Sequence, residues 1–257
     1  MAIVAVLTAA GSGTRLGCSG PKALVEIAGI PMVLRSACAL AQAGVERIVI
    51  TAPEDALDNF SALFPANWLG QADVPGEGPD ADSALAPHCQ VRVVAGSRES
   101  RQASVYRGLT ALAPTGQDTV LVHDAARPLT PVAAMRRVID AIAGGAHAVI
   151  PALPVTDTLK RVDIRLAPTT PLPHVVDTPD RASLVAVQTP QGFRGDVLME
   201  AHEQAQHRAA NESTAATDDA GLVEEMGQSV HVVLGAPESL KITTSLDLAL
   251  AQLLAES

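Results

Sequence analysis

The sequence predicts an α/β protein built on a doubly wound, mostly parallel sheet, and three observations predict it. Short apolar runs rich in Val and Ile recur along the 257 residues, helix-length stretches separate them, and a glycine-rich turn directly follows the first run. Strand–helix–strand repeats with right-handed crossovers place helices on both faces of one sheet. Ligands of such sheets sit beyond the carboxyl ends of the strands.

Taken in order, IVAVLT (3–8), RIVIT (47–51), VRVVA (91–95), TVLVHD (119–124) and AVIPAL (148–153) read as buried parallel strands. The helices between them are IPMVLRSACALAQAG (30–44), with Gly44 as C-cap, SVYRGLTALA (104–113) and PVAAMRRVIDAIAGG (131–145), with Pro131 early and glycines at the end. A helix over 195–208, a segment around TDDAGLVEEMG (217–227), a strand VHVVLG (230–235) and a closing helix SLDLALAQLLAE (245–256) complete the chain. Two stretches break the alternation. Residues 65–90, rich in Pro, Gly, Ala and Asp, read as a surface insertion. Residues 154–191 read as a β-arm projecting from the sheet, with VVDTPDRASLVAVQ (175–188) as two strands around a T-P-D turn. Residues 1–257 are thus one domain carrying an arm and an insertion.

Composition narrows the function. Apolar residues are 47% of the chain and aromatic residues 2%, so platforms for stacking nucleic-acid bases are scarce. A formal charge of −10 argues against a polyanionic partner, and any positive field must be local to a site. Cys18, Cys38 and Cys89 form no C-x-x-C pair, which suits a reducing, cytoplasmic compartment. The N-terminal apolar run is far too short to span a bilayer and lacks a basic leader, so no membrane association is expected.

The chemistry concentrates in AAGSGTRLGCSGPK (9–22) and HDAARP (123–128), which both follow strands at the same sheet edge. Gly11, Gly13 and Gly17 let backbone N–H groups approach an anion. The loop is neither a P-loop nor G-x-G-x-x-G, and no acidic residue stands where a dinucleotide ribose needs one. Arg15 and Lys22 instead suit phosphoryl or nucleotidyl transfer, where fixed cations neutralise charge developing at phosphorus. Asp124 reads either as a ligand of a sugar hydroxyl or a Mg²⁺ shell, or as a turn or cap carboxylate, and His123 as a packed side chain. No nucleophilic Cys, Ser or His is assigned.

Seven pieces in order, AAGSGTRLGCSGPK, SRQASV (100–105), LVHDAARP (121–128), DTLKR (157–161), PDR with QTPQGF (179–193), TDDA and LKIT with DLALA (240–251), resemble the 2-C-methyl-D-erythritol 4-phosphate cytidylyltransferase family over nearly the whole chain. The resemblance implies a Rossmann-like nucleotidyltransferase that uses CTP and a polyol phosphate. It implies that Arg15 and Lys22 stabilise the transition state, and that Ala9, Ala10, Gly11, Gly13, Lys22, Asp124 and Ala125 lie against CTP, with Ser104 reading cytosine. Thr158, Arg181, Thr189, Thr217, Asp124 and Arg127 are implied as polyol-phosphate contacts, and Lys241 as a positioner of phosphates. Mg²⁺ is implied as cofactor, held mainly by the CTP phosphates, with no metal-ligating residue assigned. A homodimer is implied, each arm completing its partner's site. The loop A-G-S-R-E-S-R-Q-A-S-V (95–105) departs from the family's double glycine, having only Gly96 there with Arg98 nearby; Arg101 reads as a structural or phosphate-facing cation. Ribitol 5-phosphate as acceptor, a non-catalytic nucleotide-binding module and a monomer with an unstructured 154–191 are the alternatives. H-D-A-A-R-P favours the methylerythritol acceptor over the first, and the retained cations oppose the second.

Overall fold

The computed structural model describes residues 1–11, 13, 16–17, 20–65, 68, 89–164, 172–211 and 213–256. Arg15, Cys18 and most of the 65–90 insertion therefore lie outside the described residues. The elements run β1 (Ile3–Thr8), β2 (Glu26–Ile27), β3 (Ile30–Pro31), α1 (Met32–Gln42), β4 (Arg47–Ala52), α2 (Leu57–Ser61), β5 (Gln90–Ala95), α3 (Arg101–Leu112), β6 (Thr119–Asp124), α4 (Val132–Ala143) and β7 (Ala148–Pro154). They continue β8 (Arg161–Val162), β9 (Val175–Asp177), β10 (Val185–Val187), β11 (Gln191–Arg194), α5 (Gly195–Gln204), α6 (Gln206–Ala209), α7 (Asp219–Glu225), β12 (His231–Leu234) and α8 (Ser245–Glu256).

The main sheet has the order β10-β7-β11-β6-β1-β4-β5, with β12 also on β7. β4 and β6 flank β1 in parallel, and β5 extends β4 in parallel. All five expected strands form, and the sheet is mostly parallel. Two members are antiparallel: β10 on β7, and β11, which lies between β6 and β7 and was not expected as a strand. Gly192 is what permits that placement: a Cβ there would stand 2.4 Å from Val138 Cγ1.

Alternation along the strands builds two cores. Ala5, Leu7, Ile48, Ile50 and Leu121 face α1 and α4, packing on Val33, Ala37, Leu40, Met135 and Val138. Val4, Val6, Val49, Val120 and Val122 face α3, α5 and α7, packing on Val105, Leu109, Leu198 and Val223. Gly108 lets α3 approach closely, since a Cβ would come within 2.5 Å of Val6 Cγ1. Gly44, at φ +104, ends α1 as the sequence predicts. Strand order reverses at β1, because the chain moves outward through β4 and β5 and returns to β6. The carboxyl ends of β1 and β6 flank that switch point, where the register pairs Thr8 with Asp124.

Two expectations are corrected. The strands at 175–177 and 185–187 form, but not as a mutual pair: β9 pairs with β8 and β10 with β7, leaving a single helical turn at Arg181–Ser183 between them. Non-local ladders have displaced the local turn. The 65–90 segment is not surface throughout, because Trp68 and Cys89 at its two described ends are buried. Trp68 stacks on Phe64 and its carbonyl accepts from Val91 N–H, so this end belongs to the core. Among the described residues no helix is long and apolar enough to cross a membrane.

Candidate active site

The glycine loop leaves β1 by extending the ladder one residue, Ala9 N–H donating to Thr51 O at 2.9 Å. Ala9 is buried, Ala10 half-buried and Gly11 exposed, so the chain rises out of the sheet at that point. Gly13 (φ +67) and Gly17 (φ +70) take left-handed conformations that side chains disfavour, and Leu16 N–H closes a turn on Gly13 O. Pro21 then leads into the helical turn Lys22–Leu24, which sets Lys22 half-buried at its first position.

The neighbouring loop comes from β5. A Cβ on Gly96 would stand 2.7 Å from Ala10 Cβ and 3.3 Å from Ser104 Oγ, so only glycine lets the two loops touch. Ser104, expected to read cytosine, turns inward instead. Its hydroxyl accepts from Ser97 N–H at 2.9 Å and lies 3.0 Å from Ser97 O and 3.2 Å from Ser100 O. It shapes the loop, its proton and one lone pair being used there. Ser100 caps α3, and Arg98 is exposed against Asp55 at 3.7 Å.

Asp124, at the end of β6, is the centre of the site. Oδ1 accepts from Thr8 Oγ1 at 3.1 Å and Arg101 Nε at 3.1 Å, and Oδ2 pairs with Lys241 Nζ at 2.7 Å. Burial alone would raise its carboxyl, but Arg101, Lys241 and Arg127 outweigh burial and hold it far below the usual carboxylate range. Lys241 reaches the site because Ile242 N–H donates to Ala126 O at 2.9 Å, beside the buried Ala125. Asp124 takes part in a turn through its main chain, Arg127 N–H closing on Asp124 O, while its carboxylate faces the cations.

Behind Asp124, Thr189 is buried, its hydroxyl accepting from Asp124 N–H at 3.1 Å and lying 2.8 Å from His123 Nδ1. It supports the strand end. Burial pushes His123 down to about 4, so it packs as a neutral ring, as the sequence suggests. The guanidinium of Arg127 donates to Ser239 O at 2.6 Å and Val187 O at 3.3 Å. It staples three chain segments together.

Thr158 and Arg181 lie exposed on the arm, where Arg181 Nη1 donates to Thr156 O at 2.6 Å and not to the Asp124 cluster. Thr217 is exposed just before Asp218, the N-cap of α7. Sequence reasoning missed Asp219 and His202. Asp219 Oδ2 pairs with Arg101 Nη1 at 2.7 Å and Oδ1 with His202 Nε2 at 3.0 Å, both partners of that second bond being buried. The doubled acid of TDDA was the available signal for Asp219; nothing marked His202.

Among the described residues no group of three His, Cys, Asp or Glu could hold a metal ion. The oxygens of Asp124, at the strand edge, already meet Arg101, Thr8 and Lys241. This donor set fits a hard cation carried by nucleotide phosphates and water, not a protein cage.

A family profile described as 2-C-methyl-D-erythritol 4-phosphate cytidylyltransferase, IspD, matches residues 3–257. The proteins of that name from Streptomyces avermitilis and Nocardia farcinica are similar to the chain. The first is 45% identical over 249 residues, covering 96% of this chain and 89% of the relative. The second is 44% identical over 252 residues, covering 98% and 93%. Among solved structures, the Thermus thermophilus cytidylyltransferase aligns with a TM-score of 0.69 at 30% identity, covering 100% of both chains. The 4-diphosphocytidyl-2C-methyl-D-erythritol synthase of Anaerococcus prevotii aligns with a TM-score of 0.74 at 27% identity, covering 100% of this chain and 99% of the other.

Proposed function

This chain belongs to the 2-C-methyl-D-erythritol 4-phosphate cytidylyltransferase family, and from that premise we propose how its own residues transfer CMP from CTP to methylerythritol phosphate. A phosphate oxygen of the acceptor attacks the α-phosphorus of CTP. One P–O bond forms, the bond to the β-phosphate breaks, and pyrophosphate leaves with its electron pair. CTP carries about four negative charges and the acceptor about two, so their approach is repulsive until fixed cations intervene. The acceptor is itself the nucleophile, and no covalent enzyme intermediate is needed.

The observation that carries this reading is the Asp124–Lys241 pair at the switch point, 2.7 Å apart and next to the glycine loop that ends on Lys22. Lys22 and Arg15 neutralise the charge growing on the α-phosphate and its leaving group. Ala9, Ala10, Gly11, Gly13 and Ala125 line the nucleotide. Asp124 accepts from sugar hydroxyls and fixes Lys241, which draws in phosphate. Mg²⁺ bound to the CTP phosphates supplies further neutralisation of the leaving pyrophosphate. Asp124 and the glycine loop are the residues that would face it.

The acceptor's remaining contacts are Thr158 and Arg181 from a partner's arm, with Thr217. What supports an arm-exchanged homodimer is the apolar surface that one chain leaves uncovered. Leu172 is 93% exposed, Val175 and Val176 are 58% and 59% exposed, and β10 and β12 expose Val185 and Leu234. Burial pushes the Cys38 and Cys89 thiols up to about 11 and about 12, which leaves them unreactive and suits a reducing cytoplasm.

Pyrophosphate release from CTP and Mg²⁺ is measured with methylerythritol 4-phosphate and ribitol 5-phosphate in parallel. Release with the first alone is expected. Release with the second alone would keep the mechanism and overturn the acceptor. Silence in both, from folded protein that binds CTP, would overturn the reading.

A further inference from the structure

Asp124 and Lys241 are held by groups buried behind them. Arg101, at the first turn of α3, bridges two carboxylates, Nε to Asp124 Oδ1 at 3.1 Å and Nη1 to Asp219 Oδ2 at 2.7 Å. Beyond Asp219 stands His202 on α5, its Nε2 3.0 Å from Asp219 Oδ1. Four contacts therefore run unbroken from His202 through Asp219, Arg101 and Asp124 to Lys241, and His202 lies at the end remote from the site.

Packing does not account for this histidine. Its residue is 0% exposed, its ring stacks on Tyr106 with centroids 6.2 Å apart, and its Nδ1 has no hydrogen-bond partner among the described residues. A leucine would fill the space without burying an orphaned nitrogen. What leucine cannot supply is the bond to Asp219. The carboxylate of Asp219 only accepts, so Nε2 carries the proton and donates. With His202 on Oδ1 and Arg101 on Oδ2, both oxygens are committed and the carboxylate plane is fixed. The guanidinium fork is rigid, so the plane of Asp219 sets the direction in which Arg101 Nε meets Asp124.

We propose that His202 is a positioning residue of the transfer reaction: through Asp219 and Arg101 it orients Asp124 so that Oδ2 presents Lys241 to the substrate phosphates. The inference rests on the reading of Asp124 and Lys241 given above.

The test compares His202→Leu, His202→Gln and His202→Asn with Asp219→Asn and Lys241→Met in steady-state turnover, on proteins shown folded by circular dichroism. His202→Leu is expected to lower kcat/KM by about 10-fold, the size of a coupling between contacting residues. Gln places its amide nitrogen near the Nε2 position and is expected to restore activity to within about 3-fold, whereas Asn, which places it near Nδ1, is not. His202→Leu added to Asp219→Asn should cause no further loss, because the two act in series. A merely structural histidine would instead show no rescue specific to Gln, and losses that multiply in the double variant. Should His202→Leu not fold, the Gln–Asn comparison alone decides. Lys241→Met separates the two possible failures. If it is impaired while the His202 variants are not, the relay is refuted and the site reading stands. If it is as active as wild type, the site reading fails and the relay falls with it.

Discussion

Replacing Arg101 by methionine removes the one cation shared by two buried carboxylates, and the structure sets the size of the effect. The side chain is 21% exposed, while those of Asp124 and Asp219 are 8% and 1% exposed. Removing one partner of a buried ion pair destabilises by about 3–5 kcal/mol, because a charge is left uncompensated. The value for one pair applies here, not twice it, because Asp124 keeps Lys241 and Thr8, and Asp219 keeps His202. At about 2–4 °C per kcal/mol for a chain of this size, the melting temperature should fall by roughly 6–20 °C. The pH dependence has a definite sign. Burial pushes both carboxyls up, but Arg101 outweighs it, so both are lowered in the folded protein. Their stabilisation is present above the unfolded carboxylate range and is lost as pH falls through the folded values. In Arg101→Met the two groups titrate higher and can take up protons while folded. The stability gap between variant and wild type should therefore narrow on acidification. Urea unfolding followed by circular dichroism at pH 7.5 and pH 5 measures both. A loss below about 1 kcal/mol at pH 7.5, or a gap that widens at pH 5, would refute the reasoning.

Three further outcomes are expected. His123 is buried neutral and pushed from 6.5 down to about 4, so its contribution is intact above 6.5 and lost as pH falls toward 4. That window is worth about 3 kcal/mol, and His123→Leu should flatten the stability–pH curve across it. Gly108→Ala forces a Cβ to 2.5 Å from Val6 Cγ1 and 3.0 Å from Thr51 Cγ2. Overpacking of about 1–3 kcal/mol exceeds the helix-propensity gain of about 1 kcal/mol, so thermal melts should show net loss. Arg181→Ala should raise KM for the polyol phosphate by about 10-fold or more with KM for CTP little changed; equal rises for both would count against the arm assignment.

Legibility followed burial. β1, β4, β6 and β7 were readable because strands covered on both faces are continuous apolar runs, and the edge strand β5, exposed at Gln90 and Arg92, was readable from its valines. β11 was not, because Q-G-F-R carries no such run and owes its place to Gly192 fitting under Val138. The arm's strands were legible but their partners were not, since ladders between distant segments leave no local pattern. In the site, motif order exposed Asp124 and Lys241. His202 sits among ordinary helical residues, and only the fold shows that its neighbour is Asp219.

The same distinction revises how an acidic protein gathers two anions. By sequence, Arg127 counts among the cations that offset a formal charge of −10. In the fold its guanidinium is bonded to the carbonyls of Ser239 and Val187, so its charge acts only at a distance. Arg101 is likewise matched by Asp124 and Asp219. Lys241 differs. Its partner Asp124 is anchored through the other oxygen by Arg101 and Thr8, so a phosphate can bind the ammonium without setting a buried carboxylate adrift. The positive charge that the fold sets at this strand edge is thus local, that of Lys241. The ion pairs behind it hold Asp124, and with it Lys241, in place while adding almost nothing to the field.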